Sequence, residues 1–533
     1  MSRELNAHII IVGAGFSGLG VGVQLQQAGY NDFLIIEQTG DVGGTWRDNT
    51  YPGVGVDITS FNYSFSWEQN PHWSRVYAPG NELKAYADHL VTKYELKDRI
   101  EFHTKITGAH FDEEAHLWRF TTEDGRTGTA RYVISAVGGL TQPKPPNIPG
   151  LESFAGKTMH TARWDHDHDL TGKRVAVIGT GATSVQLVPA IADRVAHLEV
   201  FQRTPIWVVP KLDAPIPTSI RRVFERLPAS QSTVRLTTGV ITEIVMGLGS
   251  TYERQFPALR KGIERLCKAH LRLQVPDPVL REQLTPRYDF LCKRPTFSNH
   301  YLRSFMRPDV DLVTEGIERI TERGILTRDG QLHEIDTLIL ATGFKVFELG
   351  NTPPFPVHGS DAIELGQFWH DKRYQSYEGL TVPKFPNMFA ILAPYSLIGP
   401  SYFSMIEAST TQLLRLLREA DKRGASYIEV REEPHREYFE DILRRQENTV
   451  FKAANCTSSN SYYFDHHGDA PMLRPATGVE VWWRSRHFPL EDYRFRAVGH
   501  GETDLPARGG VSGAARALVA MAGLQFVSGR KAL

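Results

Sequence analysis

Two glycine-rich loops limit what this chain can fold into more than any other feature. The first, Gly13-Ala14-Gly15-Phe16-Ser17-Gly18, follows the apolar run HIIIV at 8–12. The second, Gly179-Thr180-Gly181-Ala182-Thr183-Ser184, follows RVAVI at 174–178. A short apolar run ended by glycine reads as a buried strand. Behind the first loop the pattern predicts a helix from about Phe16 to Ala28, ended by Gly29, and then a second strand, FLIIE at 33–37. Behind the second it predicts a helix over 182–192 and a strand in HLEVFQR at 197–203. Both are βαβ units. In such a loop the first glycine allows a tight turn, the second lets backbone approach a pyrophosphate, and the third lets helix and strand pack closely. The helix N-terminus then directs N–H groups at phosphate. Ser184 replaces the third glycine of the second loop and is still small. The expected fold is therefore α/β, with two Rossmann-like dinucleotide-binding domains.

The strand after each loop distinguishes the two sites. Glu37 and Arg203 each stand 24 residues beyond the first glycine of their loop. A carboxylate there suits a free ribose diol, and a guanidinium suits a ribose 2′-phosphate. The first site reads as FAD and the second as NADPH, with Thr204 adding a hydroxyl toward the phosphate. No CxxxxC pair accompanies the first helix, which argues against a disulfide reductase and leaves oxygen as the electron acceptor.

At 533 residues the chain exceeds one ordinary core. The expected division is a first FAD segment over 1–142, a linker over 143–170, and a first NADPH segment over 171–210. A helical insertion rich in Leu, Arg and Glu follows over 211–290. The second NADPH segment with a return linker covers 291–378, and the second FAD segment with the tail covers 379–533. Net charge is −1, which offers no electrostatic case for nucleic acid or an anionic membrane. Cys267, Cys292 and Cys456 lie far apart without a CxxC pair, which argues against a disulfide framework or a zinc site and fits a reducing, cytoplasmic setting. The N-terminus lacks signal-peptide architecture. The apolar run 511–527 contains Arg516, is marginal for a membrane span, and reads as a helix packed on the protein. DHDHD (165–169) and FDHHGD (464–469) lack metal-ligand spacing, so no metal is expected.

Three further motifs make the chain resemble the type I Baeyer–Villiger monooxygenases, a branch of the class B flavin-dependent monooxygenases. FAGKTMHTARWD fits the family fingerprint FxGxxxHxxxW(P or D) through Phe154, Gly156, His160, Trp164 and Asp165. A second fingerprint is met by Gly43, Gly44, Trp46, Tyr51, Pro52, Gly53 and Asp57. CKRP at 292–295 resembles the family's active-site Lys-Arg pair. The match spans roughly residues 8–500.

The resemblance implies that NADPH reduces FAD, that reduced flavin and O₂ form a C4a-peroxide, and that this attacks a ketone to give an ester or lactone while NADP⁺ stays bound. It implies Arg294 as the fixed cation of that chemistry and Asp57 as the acceptor holding it. It assigns Gly13, Gly15, Phe16, Ser17, Gly18, Glu37, Gly44, Thr45, Trp46, Asp57 and Tyr63 to the flavin. It assigns Gly179, Thr180, Gly181, Ala182, Thr183, Ser184, Arg203, Thr204 and Lys293 to the nicotinamide nucleotide. His160 reads as a hydrogen-bonding residue of the domain junction rather than a base, since a base there has no evident target. One departure stands out. Where many relatives carry a tryptophan in a C-terminal loop over the substrate, this chain has NSYYFDHHG, with Tyr462 or Tyr463 in its place. The competing readings are an N- or S-oxygenating flavin monooxygenase and an uncoupled NADPH oxidase or flavin sensor. The expected partners are a ketone and O₂, and the chain is expected to be a monomer or homodimer.

Overall fold

The computed structural model describes residues 5–398, 401–499 and 503–505; the apolar run 511–527 lies outside them. The first sheet holds β1 (Ala7–Val12), β2 (Phe33–Ile36), β3 (Ile100–Glu101), β4 (Ile106–Asp112), β5 (Leu117–Thr122) and β6 (Thr127–Ser135). Helix α1 (Phe16–Gln27) joins β1 to β2. The second sheet holds β7 (Lys157–His160), β8 (Arg174–Ile178), β9 (His197–Phe201), β10 (Val310–Val313) and β11 (Thr337–Leu340), with α2 (Ala182–Ile191) between β8 and β9. The chain then returns to the first sheet with β12 (Val357–His358) and β13 (Met388–Ala390), followed by the long helix α3 (Tyr402–Arg423).

The strand orders are β12-β4-β5-β6-β1-β2-β3, with β13 also on β6, and β10-β9-β8-β11-β7. Every pairing in the second sheet is parallel. Such strands are covered on both faces and need apolar residues at consecutive positions. β1 shows this directly: Ile9 and Ile11 feed one core, Ile10 and Val12 the other. β8 repeats it, with Val175 and Val177 on one side and Ala176 and Ile178 on the other. The helices expected behind the glycine loops occur as α1 and α2, each within a residue of its expected end.

The helical insertion contains Thr218–Arg226, Pro228–Thr242 and Pro257–Gln274. Beyond Thr242 the helix loosens into a π-helical stretch, Glu243–Leu248. Its Met246, with Ser250 just after it, faces the main cavity. Wide turns of this kind often mark functional sites.

Two expectations about the connections are corrected. The segment 143–170 is not all linker, because Lys157–His160 is β7, the edge strand paired with β11. Of its four residues only Met159 is apolar and buried, so it gives a weak strand signal. The return to the first sheet is also complete earlier than 378, since Val357 already pairs with Ala109. Between the sheets the outgoing and returning chains run side by side, with Lys144 N–H donating to Gly343 O (2.9 Å) and Lys345 N–H to Gln142 O (3.0 Å).

The fingerprint aromatics secure this junction. Phe154 is buried in one core of the second sheet, and Trp164 packs against the other. A Cβ on Gly156 would meet Asp336 O at 2.6 Å. His160 Nδ1 accepts from Ala162 N–H (3.1 Å), and its ring stands edge-on to Phe344 with centroids 6.1 Å apart. Burial lowers its pKa, which favours the neutral imidazole.

The second fingerprint locks the two nucleotide units together. Tyr51 is buried in the core of the second sheet and donates to Gln186 on α2 (2.8 Å). Gly53 sits at φ +84°, where a Cβ would lie 2.5 Å from Gln186 O. Gly53→Ala is expected to cost about 1–3 kcal/mol through overpacking, seen as a lower melting temperature and a raised KM for NADPH. An unchanged value of both would show that the loop tolerates separation from α2.

Candidate functional site

The first glycine loop shares a cavity with Ala182 and Thr183 of the second; Gly179, Thr180, Gly181 and Ser184 do not line it. A cavity of about 820 Å³ runs from the first loop to the edge of the second, lined among others by Gly13, Gly15, Ser17, Glu37, Asp57 and Arg294. Phe16, Gly44, Thr45, Trp46, Tyr63, Ala182 and Thr183 also face it.

At the first loop, α1 starts at Gly15 without a side-chain cap and with no acidic residue in its first turn. Its leading N–H groups are thus left for an anion. Gly18 packs so tightly on Gly13 O that a Cβ there would lie 1.9 Å away. Glu37 directly follows β2, its carboxylate accepting from Ala14 N–H (2.8 Å) and from Thr39. Arg47 also reaches it (3.2 Å), while a carboxylate retains further acceptor sites for ribose hydroxyls. Ser17 Oγ meets Tyr402 Oη at 2.7 Å, and Trp46 Nε1 donates to Tyr63 Oη at 3.2 Å. These groups fit a flavin dinucleotide.

At the second loop, Ser184 Oγ donates to Gly179 O (2.7 Å), so the hydroxyl occupies a contact that glycine leaves bare in the first loop. Thr180 Oγ1 donates to Thr204 O (2.7 Å), which ties the loop to the end of the next strand. α2 starts at Gly181, again uncapped by any side chain and without an early acid. Arg203 is exposed, and Lys293 is its half-buried neighbour. Burial first, and then the Arg203 charge, lower the Lys293 ammonium to about 8. Two neighbouring cations of this kind would suit a dianion such as a 2′-phosphate.

This arrangement has a pH consequence. A bound phosphate raises the Lys293 pKa, so binding favours the protonated lysine. Below about pH 8 the group already carries its proton, and above it the proton must be taken up. KM for NADPH is expected to stay flat below pH 8 and to rise above it by up to about tenfold per unit. NADH, which lacks the 2′-phosphate, should show no such slope when titrated over the same range.

Where the units meet, Arg294 Nε donates to Asp57 Oδ2 (2.8 Å) and Nη2 to Oδ1 (2.7 Å). This is a bidentate pair between residues 237 positions apart. Burial would push the Asp57 carboxyl up, but the Arg294 guanidinium overrides it and holds it below its ordinary value. Burial likewise works against the Arg294 charge, and Asp57 outweighs it. The result is a fixed cation with three N–H donors left over.

The cysteine expectation is corrected here. Cys292 and Cys456, 164 residues apart, form a disulfide with Cα atoms 5.2 Å apart. Cys spacing carries no information about such a pairing, which depends on where the C-terminal loop docks. Cys267 remains a buried thiol, pushed up to about 12 by its surroundings. The bond joins the CKRP segment to the loop bearing Tyr462 and Tyr463, and both tyrosines line the cavity. Asn460 of that loop donates to Thr204 Oγ1 (2.8 Å).

Several site residues carry no local sequence signal: Tyr402, Gln186 and Asn460. Tyr51 had one, as a fingerprint position. The histidine-rich runs serve other ends. His166 bonds Thr50 and His168 bonds Thr337, while His466 and His467 both meet His370 O. No group of three or more His, Cys, Asp or Glu among the described residues is arranged to hold a metal, and no described helix is long and apolar enough to cross a membrane.

Comparison with known proteins adds an independent line. A family model described as pyridine nucleotide-disulphide oxidoreductase matches residues 10–257. A Baeyer–Villiger monooxygenase of Pseudomonas aeruginosa is 39% identical over 498 residues, covering 92% of this chain and 89% of its own. Among solved structures, an oxidized steroid monooxygenase bound to NADP superposes with a TM-score of 0.81 at 27% identity, over 92% of this chain and 99% of that one. OTEMO in complex with FAD and NADP superposes at 0.79 and 25% identity, over 92% and 100%.

Proposed function

The chain belongs to the Baeyer–Villiger monooxygenases, FAD- and NADPH-dependent enzymes, and on that footing we propose that it inserts one oxygen atom beside a ketone carbonyl to give an ester or lactone. The observation that carries this reading is the Arg294–Asp57 pair, placed in one cavity with both nucleotide loops. When bound, the flavin takes electrons from NADPH and supplies the activated oxygen.

The chain's own residues do the rest. In this reading Gly13, Gly15, Ser17, Glu37, Thr45, Trp46 and Tyr63 hold FAD. Thr180 to Ser184, Arg203, Thr204 and Lys293 hold NADPH. Asp57 fixes the direction of the Arg294 guanidinium before any substrate arrives. That cation then meets negative charge as it grows on the reacting oxygens, at no reorganisation cost. Tyr462, Met246, Leu397 and Leu473 line the same cavity as Arg294 and add apolar surface to its wall. The side-by-side crossings at 142–145 and 343–345 act as the hinge between the two nucleotide units. The domain division follows from this: FAD binding by the two outer segments and NADPH binding by the middle one, interrupted by the helical insertion.

The test is incubation with NADPH, O₂ and a panel containing a cyclic, a linear, an aromatic and a steroid ketone. The expected result is a product heavier by one oxygen with an ester or lactone spectrum. Oxidation of amines or sulfides alone, or hydrogen peroxide with no organic product, would overturn it.

A further inference from the structure

The disulfide joins two stretches of chain that wall the cavity from different sides. Leu291, just before Cys292, and Arg294, two residues after it, both line the cavity. Cys456 stands six and seven residues before Tyr462 and Tyr463, which line it as well. Beside the bond, Asp289 N–H donates to Asn455 O (3.0 Å), and Asn455 N–H donates to Asp289 Oδ2 (2.9 Å). Further along the loop, Asn460 donates to Thr204 Oγ1 (2.8 Å). Asn460 does so at φ +47°, a left-handed conformation that asparagine tolerates better than most residues. The remaining contact is apolar: Cys292, Cys456, Phe451 and Tyr463 share one buried cluster with Trp207 and Phe290.

Two features make this bond sensitive to the position of the loop. Both cysteines are buried with the loop docked, so a soluble reductant or oxidant reaches the sulfurs only when the loop lifts. The third cysteine does not interfere. Cys267 lies in the same cluster, but burial pushes its thiol up to about 12, and a protonated thiol does not attack a disulfide. The chemistry of Cys292 and Cys456 is therefore confined to that pair, and forming their bond fixes the loop where it is seen.

We propose that Cys292 and Cys456 are a peroxide-sensitive latch: as thiols they leave the loop free to lift from the cavity, and hydrogen peroxide released by the open site oxidises them to the bond that holds the loop down. One sulfur, as thiolate, attacks a peroxide oxygen. The O–O bond breaks, the departing hydroxide takes up the proton that the thiol lost, and a sulfenic acid and one water result. As the loop docks, the second thiolate attacks the oxidised sulfur. The S–O bond breaks, and its hydroxide leaves as a second water with the second thiol proton. The two sulfurs together lose two electrons, which the O–O bond gains. Reopening takes a reductant of the thiol class, which gives two electrons and two protons to the pair and becomes a disulfide itself. The peroxide comes from NADPH oxidation in which O₂ is reduced without oxygen transfer to substrate. An enzyme that leaks thus closes its own site. This assignment rests on the reading of the site as a monooxygenase.

The test compares the FAD-loaded enzyme after treatment with hydrogen peroxide and after reduction by dithiothreitol, each freed of reagent without air. Thiols counted in denaturant should number one per chain in the first state, Cys267, and three in the second. On the panel ketone converted fastest, the reduced state is expected to release at least about threefold more hydrogen peroxide per NADPH consumed, since a docked loop is no longer enforced. Without NADPH, chymotrypsin should cut beside Tyr462 and Tyr463 faster in the reduced state. Reduced enzyme left to turn over in air should recover its coupling as the thiol count falls from three to one, and catalase should slow both. Cys456→Ser should leak permanently, and dithiothreitol should not change it. Equal peroxide release from the two states overturns the latch, as does a thiol count that peroxide leaves at three. Recovery that catalase does not slow overturns the peroxide step. A wild type that oxygenates nothing on the panel overturns the monooxygenase reading instead, and the thiol count and chymotrypsin rates then decide by themselves whether the bond holds the loop.

Discussion

Arg294→Ala is expected to leave a folded, yellow protein whose ester formation falls by about 10²–10³-fold or more, the range for removing a preorganised donor from a site of developing charge. The protein should survive because its partner can neutralise itself. Without the guanidinium, only a backbone N–H and the Lys211 charge still oppose the burial that raises the Asp57 carboxyl, so Asp57 moves toward the protonated form instead of standing as a buried unpaired charge. Arg294→Lys separates charge from geometry. An ammonium restores the charge but cannot reproduce the fork that meets Oδ1 and Oδ2 at 2.7 and 2.8 Å. Its activity should therefore fall between wild type and alanine. The measurement is product by mass spectrometry alongside NADPH consumption. Consumption that continues as peroxide release places the defect after flavin reduction. Retained ester formation in Arg294→Ala would remove this residue from the chemistry.

Arg203→Ala is expected to weaken NADPH by about 1.5–3 kcal/mol, roughly ten- to a hundredfold in KM, through the loss of a charge-assisted bond. The preference for NADPH over NADH should shrink by the same factor. Lys293→Ala should act in the same direction and also abolish the rise of KM above pH 8, because the titrating group is gone. If the two cations share one phosphate, as proposed, the double variant should lose less than the sum of the single losses. An unchanged NADPH-to-NADH ratio in Arg203→Ala would separate this arginine from the 2′-phosphate.

Much of this arrangement was legible before any fold was known. The βαβ units announce themselves because strand burial on both faces and a tight phosphate-facing turn each demand particular residues at consecutive positions. The fingerprints were legible as motifs, but their physical purpose was not. Gly53 matters because Gln186 O lies where its Cβ would be, and Phe154 matters because it fills a core beneath a strand that the linker reading missed. The pairing of Cys292 with Cys456 went against expectation, since three scattered cysteines look alike whether or not a loop brings two of them together.

The sequence by itself determined the two nucleotide loops and the acid and base that tell them apart, because these rest on short-range periodicity and on side-chain chemistry, which travel with the chain; Asp57 and Arg294 were named only through the family resemblance. Only the tertiary structure decided what those residues meet. Ser17 reaches Tyr402 across 385 positions, Asp57 reaches Arg294 across 237, and Thr204 reaches Asn460 across 256. Contacts of that span arise from the packing of whole sheets and the docking of a distant loop, and no local pattern encodes them.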